Sequence, residues 1–181
     1  FEVFTSSTCG PCKPGNENFH NIIDPKPQND FVYVKFQQDF PGSGDPYCTN
    51  ESYNRRNYYA INSIPRMEID GAWDGNASSF TQALYDAARA IPANYKMDGT
   101  YSVDNMTVKT KVRFSPLFNA PAGAKLYVAI LENKTTANVK TNGETEFLQV
   151  MKKMLPTETG SAVPTVAIGS WDSLIQNYTF K

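Results

Sequence analysis

"TSSTCGPCKPGN", residues 5–16, follows the short apolar run "FEVF" and places Cys9 and Cys12 two residues apart. A strand that runs into a polar loop, then a closely spaced cysteine pair, then a helix-length segment is the pattern on which the fold depends. "FEVFTS" has the apolar and β-favouring residues of a short buried strand. "KPGNENFHNIID" is expected to be a weak helix, interrupted early by Pro14 and Gly15 and closed by "DPKP".

Working outward, "DFVYVKFQQDF" alternates Phe31, Tyr33 and Lys35 against Val32, Val34 and Phe36, a strand signature. "PGSGDPYC" is a loop by its Pro and Gly content, and "TNESYNRRNYYAI" suits a helix capped by Thr49 or Asn50. "SIPRMEIDG" predicts a strand entered through Pro65 and ended at Asp70-Gly71, with a hairpin-type turn at Asp74-Gly75. "SSFTQALYDAARAI" predicts a helix capped by Ser78 or Ser79. Its Phe80, Ala83, Leu84, Ala87 and Ile91 would share one face. Strand, helix, strand, helix, strand, strand, helix implies an α/β layer with at least one parallel crossover.

After Pro92 the pattern changes. "YSVDNMTVKTKVRF" reads as a hairpin around Asp104-Asn105, and "AKLYVAILEN", "VPTVAIG" and "SLIQNYTF" add further β-rich runs. "ETEFLQVMKKMLP" fits helix or strand. Strands in succession without helical crossovers point to an antiparallel sandwich. The expected division is therefore an α/β domain over residues 1–95 and an all-β sandwich over 96–181.

The chain has 181 residues, of which 40% are apolar, enough to bury a sizeable core. A net charge of −1 offers no electrostatic footprint for nucleic acid or an anionic membrane. No run approaches the ~20 apolar residues of a spanning helix, so membrane association is expected only through an anchor outside this sequence. The start at "FEVF", with neither Met nor a signal-like segment, is read as a mature or trimmed product. Sequons at Asn50, Asn76, Asn105, Asn133 and Asn177 are incidental in so Asn- and Thr-rich a chain.

A C-x-x-C pair has three physical uses. Zinc needs about four ligands, but the other candidates, Cys48 and the single His20, lack such spacing, so no metal is expected. A structural bridge gains stabilisation with the length of loop it closes, and two residues close almost none. The third use is redox. At a helix N-terminus, unpaired N–H groups and the positive dipole end favour a thiolate. Cys9 would be the exposed attacker and Cys12 the buried resolver of the mixed disulfide. A vestigial or structural pair is the alternative. No cofactor motif is present.

"CGPCK", residues 9–13, resembles the active-site motif of thioredoxin, and Ile64-Pro65 ahead of a strand resembles the cis-proline beside that motif. The resemblance covers residues 1–92. It implies catalytic Cys9 and Cys12, and a substrate groove made by Thr8, Gly10, Pro11, Ile64 and Pro65, with Ile64 offering backbone to an extended substrate. A reducing potential of about −270 mV, close to that of thioredoxin itself, is implied. Thioredoxins carry Trp where this chain has Thr8, and a buried proton-transferring acid where it has Val3. Glu2 could serve for that acid only if a bulge reversed its face.

Over the whole chain, "FEVFTSSTCGPC", "FQQDFPGSGDPY", "NRRNYYAINSIPRMEIDG" and "VAILENKT…FLQVMKKMLPTETG" resemble the Omp28-related proteins of Bacteroidetes. That resemblance implies an exported protein of periplasm or outer membrane, with a thioredoxin-like domain followed by an Ig-like β-sandwich whose last strands lie past Lys181. Its partners would be a disulfide-containing protein substrate and an unidentified electron donor or acceptor protein. The rival expectation is a non-enzymatic cell-envelope or surface binding protein that keeps the fold. Other residues have plainer readings. Cys48 is a lone thiol, Arg55 and Arg56 beside Tyr58 and Tyr59 mark an amphipathic helix with snorkelling arginines, and Trp73 and Trp171 are core or edge aromatics.

Overall fold

A computed structural model of the chain describes residues 1–119 and 123–180, so Lys181 lies outside the described residues. The chain divides into two compact units, 1–91 with 130–153, and 92–129 with 154–181. The segment 130–153 therefore belongs with the first unit, where the sequence had placed it in the second.

In the first unit, β1 (Glu2–Thr5) is followed by α1 (Cys12–Ile23), β2 (Val34–Gln37), α2 (Asn50–Tyr58), β3 (Arg66–Ile69), β4 (Trp73–Gly75) and α3 (Gln82–Arg89). In the second, β5 (Tyr95–Asp104), β6 (Thr107–Pro116) and β7 (Lys125–Leu126) come next. The remaining strands are β8 (Val128–Thr135), β9 (Phe147–Leu155), β10 (Ser161–Ala162) and β11 (Asp172–Thr179). A six-stranded mixed sheet has the order β4-β3-β1-β2-β9-β8. β1 runs parallel to β2 and antiparallel to β3, and β2 runs parallel to β9 through Lys35 opposite Val150.

Local chemistry accounts for most of these elements. β1 is central and buries Val3, Phe4 and Thr5, which is why it reads as a continuous apolar run. α1 buries Cys12, Gly15, Asn16, Phe19 and Ile23, a three- and four-residue spacing that makes one stripe. The expected interruption at Pro14 and Gly15 does not occur. Pro14 is the third residue of the helix, where no intrahelical acceptor bond is lost. Thr49 caps α2 by accepting from the Ser52 N–H.

Two further expectations are corrected. α3 is capped by Thr81, because Ala77–Ser79 forms a separate 3₁₀ turn, and its inward face is Leu84, Tyr85 and Ala88 while Ile91 is exposed. Asp74-Gly75 lies within β4, where Glu68 faces Asp74 and Met67 faces Gly75. The reversal between the strands is Asp70-Gly71, with both residues at positive φ. Val3, Phe19, Ile23, Met67, Ile69, Ala77, Phe80 and Tyr85 form the core on the α1 side. On the other side Phe4 stacks on Phe36 at 5.2 Å and meets the Tyr59 ring edge-on. Each such buried ring contributes about 2–3 kcal/mol.

The second unit is antiparallel. β5 and β6 form the expected hairpin, turning at Asn105 with φ +51°, and β11 pairs with the far side of β6, giving the order β11-β6-β5. β7 and β10 form a two-stranded pair. "ETEFLQVMKKMLP" resolves as strand β9, and "VPTVAIG" forms no strand.

Candidate functional site

β1 ends at Thr5, and residues 6–11 turn the chain into α1. The Cys9 N–H donates to the Ser6 carbonyl, and the Cys12 N–H donates to the Cys9 carbonyl, both at 3.0 Å. Cys9 and Cys12 are joined as a disulfide at the mouth of the helix. Pro11 stands at the N-cap and makes no side-chain cap bond, and the Cys12 N–H is already given to the Cys9 carbonyl. Cys12 is fully buried, as expected of a resolver. Cys9 is 1% exposed, which corrects the expectation of an exposed attacker. The Ile64 carbonyl oxygen lies 3.8 Å from Cys9 Sγ.

The other expected groove residues divide into three groups. Ile64 and Pro65 lie against the pair through a cis peptide, with Ile64 half-buried and Pro65 buried. Gly10 and Pro11 are exposed at the rim. Thr8 is occupied by its own loop. Its hydroxyl donates to the Pro41 carbonyl at 2.7 Å, which leaves Ser6 Oγ as donor in the 2.8 Å Ser6–Thr8 bond.

Gly15 fixes the approach of α1 to the Ile64-Pro65 segment. A Cβ at position 15 would stand 2.9 Å from Pro65 Cγ and 3.2 Å from Pro65 Cβ. Gly15→Val is therefore expected to cost about 2 kcal/mol by overpacking, although valine has the better helix propensity. Chemical denaturation measures it, and an unchanged midpoint would show that the contact yields freely.

Glu2 is not brought to the dithiol. It sits on the face of β1 opposite Val3 and Thr5, where Arg55 Nε and Nη2 donate to its two oxygens at 2.6 and 2.7 Å. The Tyr59 hydroxyl donates to Glu2 Oε1 at 2.6 Å. No bulge shifts the register, since Glu2, Val3, Phe4 and Thr5 pair in sequence with Val34 to Gln37. Next to Glu2 across the sheet lies Glu68, pushed up to about 7 by burial first and then by Asp74.

The polar groups that hold the segments carrying the dithiol were missed in the sequence. Asn16, one helical turn below Cys12, donates from Nδ2 to Thr5 Oγ1 at 3.0 Å and to Glu144 Oε1 at 2.9 Å. Asn142 Nδ2 donates to Glu144 Oε2 at 2.6 Å and to the Ser6 carbonyl at 3.1 Å. The N–H groups of Thr141 and Asn142 both donate to the Ser7 carbonyl. Buried Asp45 accepts from the Ser7 N–H at 2.9 Å and from Asn138 Nδ2 at 3.1 Å. Residues 138–144 thus brace the loop that carries Cys9. No local pattern marks them, because their partners in the Cys9 loop, Asp45 and α1 are far away in the chain.

Deeper under α1, Lys35 Nζ lies 3.0 Å from His20 Nε2, and His20 Nδ1 lies 3.0 Å from Asp24 Oδ1. Burial pushes Lys35 down to about 8, against the opposing pull of Glu144 and Asp24. Burial, then Lys35, lowers His20. A neutral His20 that donates from Nδ1 to Asp24 and accepts from Lys35 satisfies both contacts. Cys48, half-buried, is pushed up to about 11 by burial first and then by Asp39, so it is a protonated thiol at neutral pH. Among the described residues no group of His, Cys, Asp and Glu is arranged to hold a metal ion, and no helix is long and apolar enough to cross a membrane.

No family model matches the chain, and no curated protein matches it. Among solved structures it is similar to HBP35 of Porphyromonas gingivalis, with a TM-score of 0.70 at 15% identity. The match covers 98% of this chain and 62% of that one, so the chain spans less than two thirds of that protein's length. At this identity the likeness is one of fold.

Proposed function

We propose that the first unit is a thioredoxin-like domain that exchanges disulfides with a partner protein through Cys9 and Cys12, in an exported protein of the Omp28-related kind whose second unit is an Ig-like sandwich. The observation that carries this reading is the placement of both sulfurs between the end of β1 and the first turn of α1, with Ile64-Pro65 against them. The Cys9 thiolate attacks one sulfur of a substrate disulfide. The substrate S–S bond breaks, and the departing thiolate takes a proton. Cys12 then attacks Cys9 Sγ, which releases the second substrate thiol and leaves the Cys9–Cys12 disulfide. A dithiol partner protein restores the reduced pair. Gly10 and Pro11 form the rim a substrate meets, Ile64 offers its backbone, and Asn16 ties Thr5 to Glu144 one turn below Cys12.

The 1% exposure of Cys9 favours a second reading, in which the disulfide is a buried link in a non-enzymatic cell-envelope binding protein. Insulin reduction in the presence of dithiothreitol separates the two. The intact protein is expected to accelerate insulin precipitation, while Cys9→Ser and Cys12→Ser each fall to the rate of dithiothreitol alone. Background rates in all three proteins would leave only the binding reading.

A further inference from the structure

We propose that β5 is a self-pairing edge through which two copies of the chain join antiparallel, making one continuous six-stranded sheet from two three-stranded ones. β5 lies at the end of the order β11-β6-β5, so among the described residues no strand neighbours one side of its ten-residue backbone. Nine of its ten residues are exposed. It contains no proline and runs in unbroken register with β6 from Tyr95 to Asp104, so it lacks the bulges and prolines that usually blunt an open edge. On the face shared with Phe114, Val112 and Val108, Met97, Tyr101 and Val103 are 53%, 78% and 62% exposed. Lone strands rarely leave such a row to water unless something covers it.

The side chains of β5 complement themselves about a two-fold axis through Thr100. Antiparallel pairing at that register sets Met97 opposite Val103 of the second copy and Gly99 opposite Tyr101. A tyrosine ring opposite a glycine covers the backbone that the glycine leaves bare. On the other face Lys96 falls opposite Asp104, twice over by symmetry. Among the described residues neither Lys96 nor Asp104 has an ion-pair partner within its own chain, whereas Asp98, between them, is paired with Arg113 of β6. Shifting the axis one step brings Asp98 against Asp104, or leaves Lys96 against Ser102. Only the Thr100 axis joins Asp104 to Lys96, whose ammonium within its own chain lies over the Trp171 ring at 5.8 Å.

Sedimentation equilibrium of the full 181-residue chain tests this, with Cys48→Ser present throughout to remove dimers made by thiol oxidation. The expected result is a concentration-dependent rise from 20.2 kDa to twice that mass. Lys96→Glu and Asp104→Lys should each weaken the dimer by roughly ten-fold, since each creates two like-charge cross-strand pairs. The double swap should restore the original constant. Tyr101→Asp should weaken association without rescue by either swap. A single-protomer mass at every concentration overturns the proposal. So does a dimer indifferent to these substitutions, because another surface, or a different occupant of the β5 edge, would then be in use.

Discussion

Arg55→Ala is expected to destabilise the first unit by about 3 kcal/mol, at the lower end of what breaking a buried ion pair costs. The Arg55 side chain is 8% exposed, and its fork holds both oxygens of Glu2, which is 23% exposed. Nη2 also meets the Tyr59 hydroxyl at 3.0 Å, and the guanidinium lies 4.7 Å from the Tyr58 ring centre and 4.8 Å from that of Tyr59. Truncation therefore removes three charge-assisted hydrogen bonds and two ring contacts together. It also leaves the Glu2 carboxylate beside Glu68, which already faces Asp74 across the next strand pair. Residual water at Glu2 is what keeps the cost from the upper end of the range. Arg55→Lys retains charge but not the fork, and should lose about half as much. The informative comparison is the double variant Arg55→Ala with Glu2→Gln. If the penalty lies in an uncompensated carboxylate, the double variant is more stable than Arg55→Ala alone. Urea denaturation measures all four proteins, and a single-variant loss under about 1 kcal/mol would mean that the pair is screened like an ordinary surface bridge.

The same residues show where sequence pattern stops being informative. Periodicity placed "FEVFTS", "DFVYVKFQQDF" and "SIPRMEIDG" as strands and gave the alternation with helices, because those signals are local. It could not show that Arg55 leaves the snorkelling role of a helix surface for a fork on β1, since that depends on α2 packing over Glu2. Pro14 and Gly15 read as breakers by composition. Position overrides composition there, as Pro14 falls in the first turn and Gly15 supplies the closeness that Pro65 requires. Asp74-Gly75 has turn chemistry, yet pairing with β3 draws it into a strand. The dithiol was legible from its spacing alone. Its burial was not, and neither was the brace from residues 138–144, whose partners lie from 93 to 136 residues away in the chain. That brace is also why the domain division drawn from texture placed 130–153 apart from the unit it completes.

Lys35→Met is expected to flatten a pH dependence of stability that the parent protein shows in alkaline solution. Alternation grouped Lys35 with Phe31 and Tyr33, and that face lies under α1, where Phe19 meets the Tyr33 ring at 5.3 Å. The ammonium is thereby buried, with His20 from α1, Asp24 at its C-cap and Glu144 from the segment before β9 as the titratable groups that face it. The proton leaves at about 8 in the folded protein and at 10.5 in the unfolded chain. Between those values the unfolded state binds more protons, so stability rises with pH across this window and is flat, at its reduced level, below it. From pH 7 to pH 10 the gain amounts to roughly 2–3 kcal/mol. Tyr33 acts in the opposite sense, because burial pushes its hydroxyl up to about 12 and so removes stability above 10. It titrates in both proteins, and taking the difference between parent and Lys35→Met isolates the lysine. The methionine variant should be the more stable protein at pH 7, less a pH-independent loss of about 1 kcal/mol for the hydrogen bond to His20, and the advantage should shrink or reverse by pH 10. Urea midpoints at pH 7, 8, 9 and 10 give the curve. A constant difference between the two proteins would show that Lys35 reaches water and holds its proton as any surface lysine does.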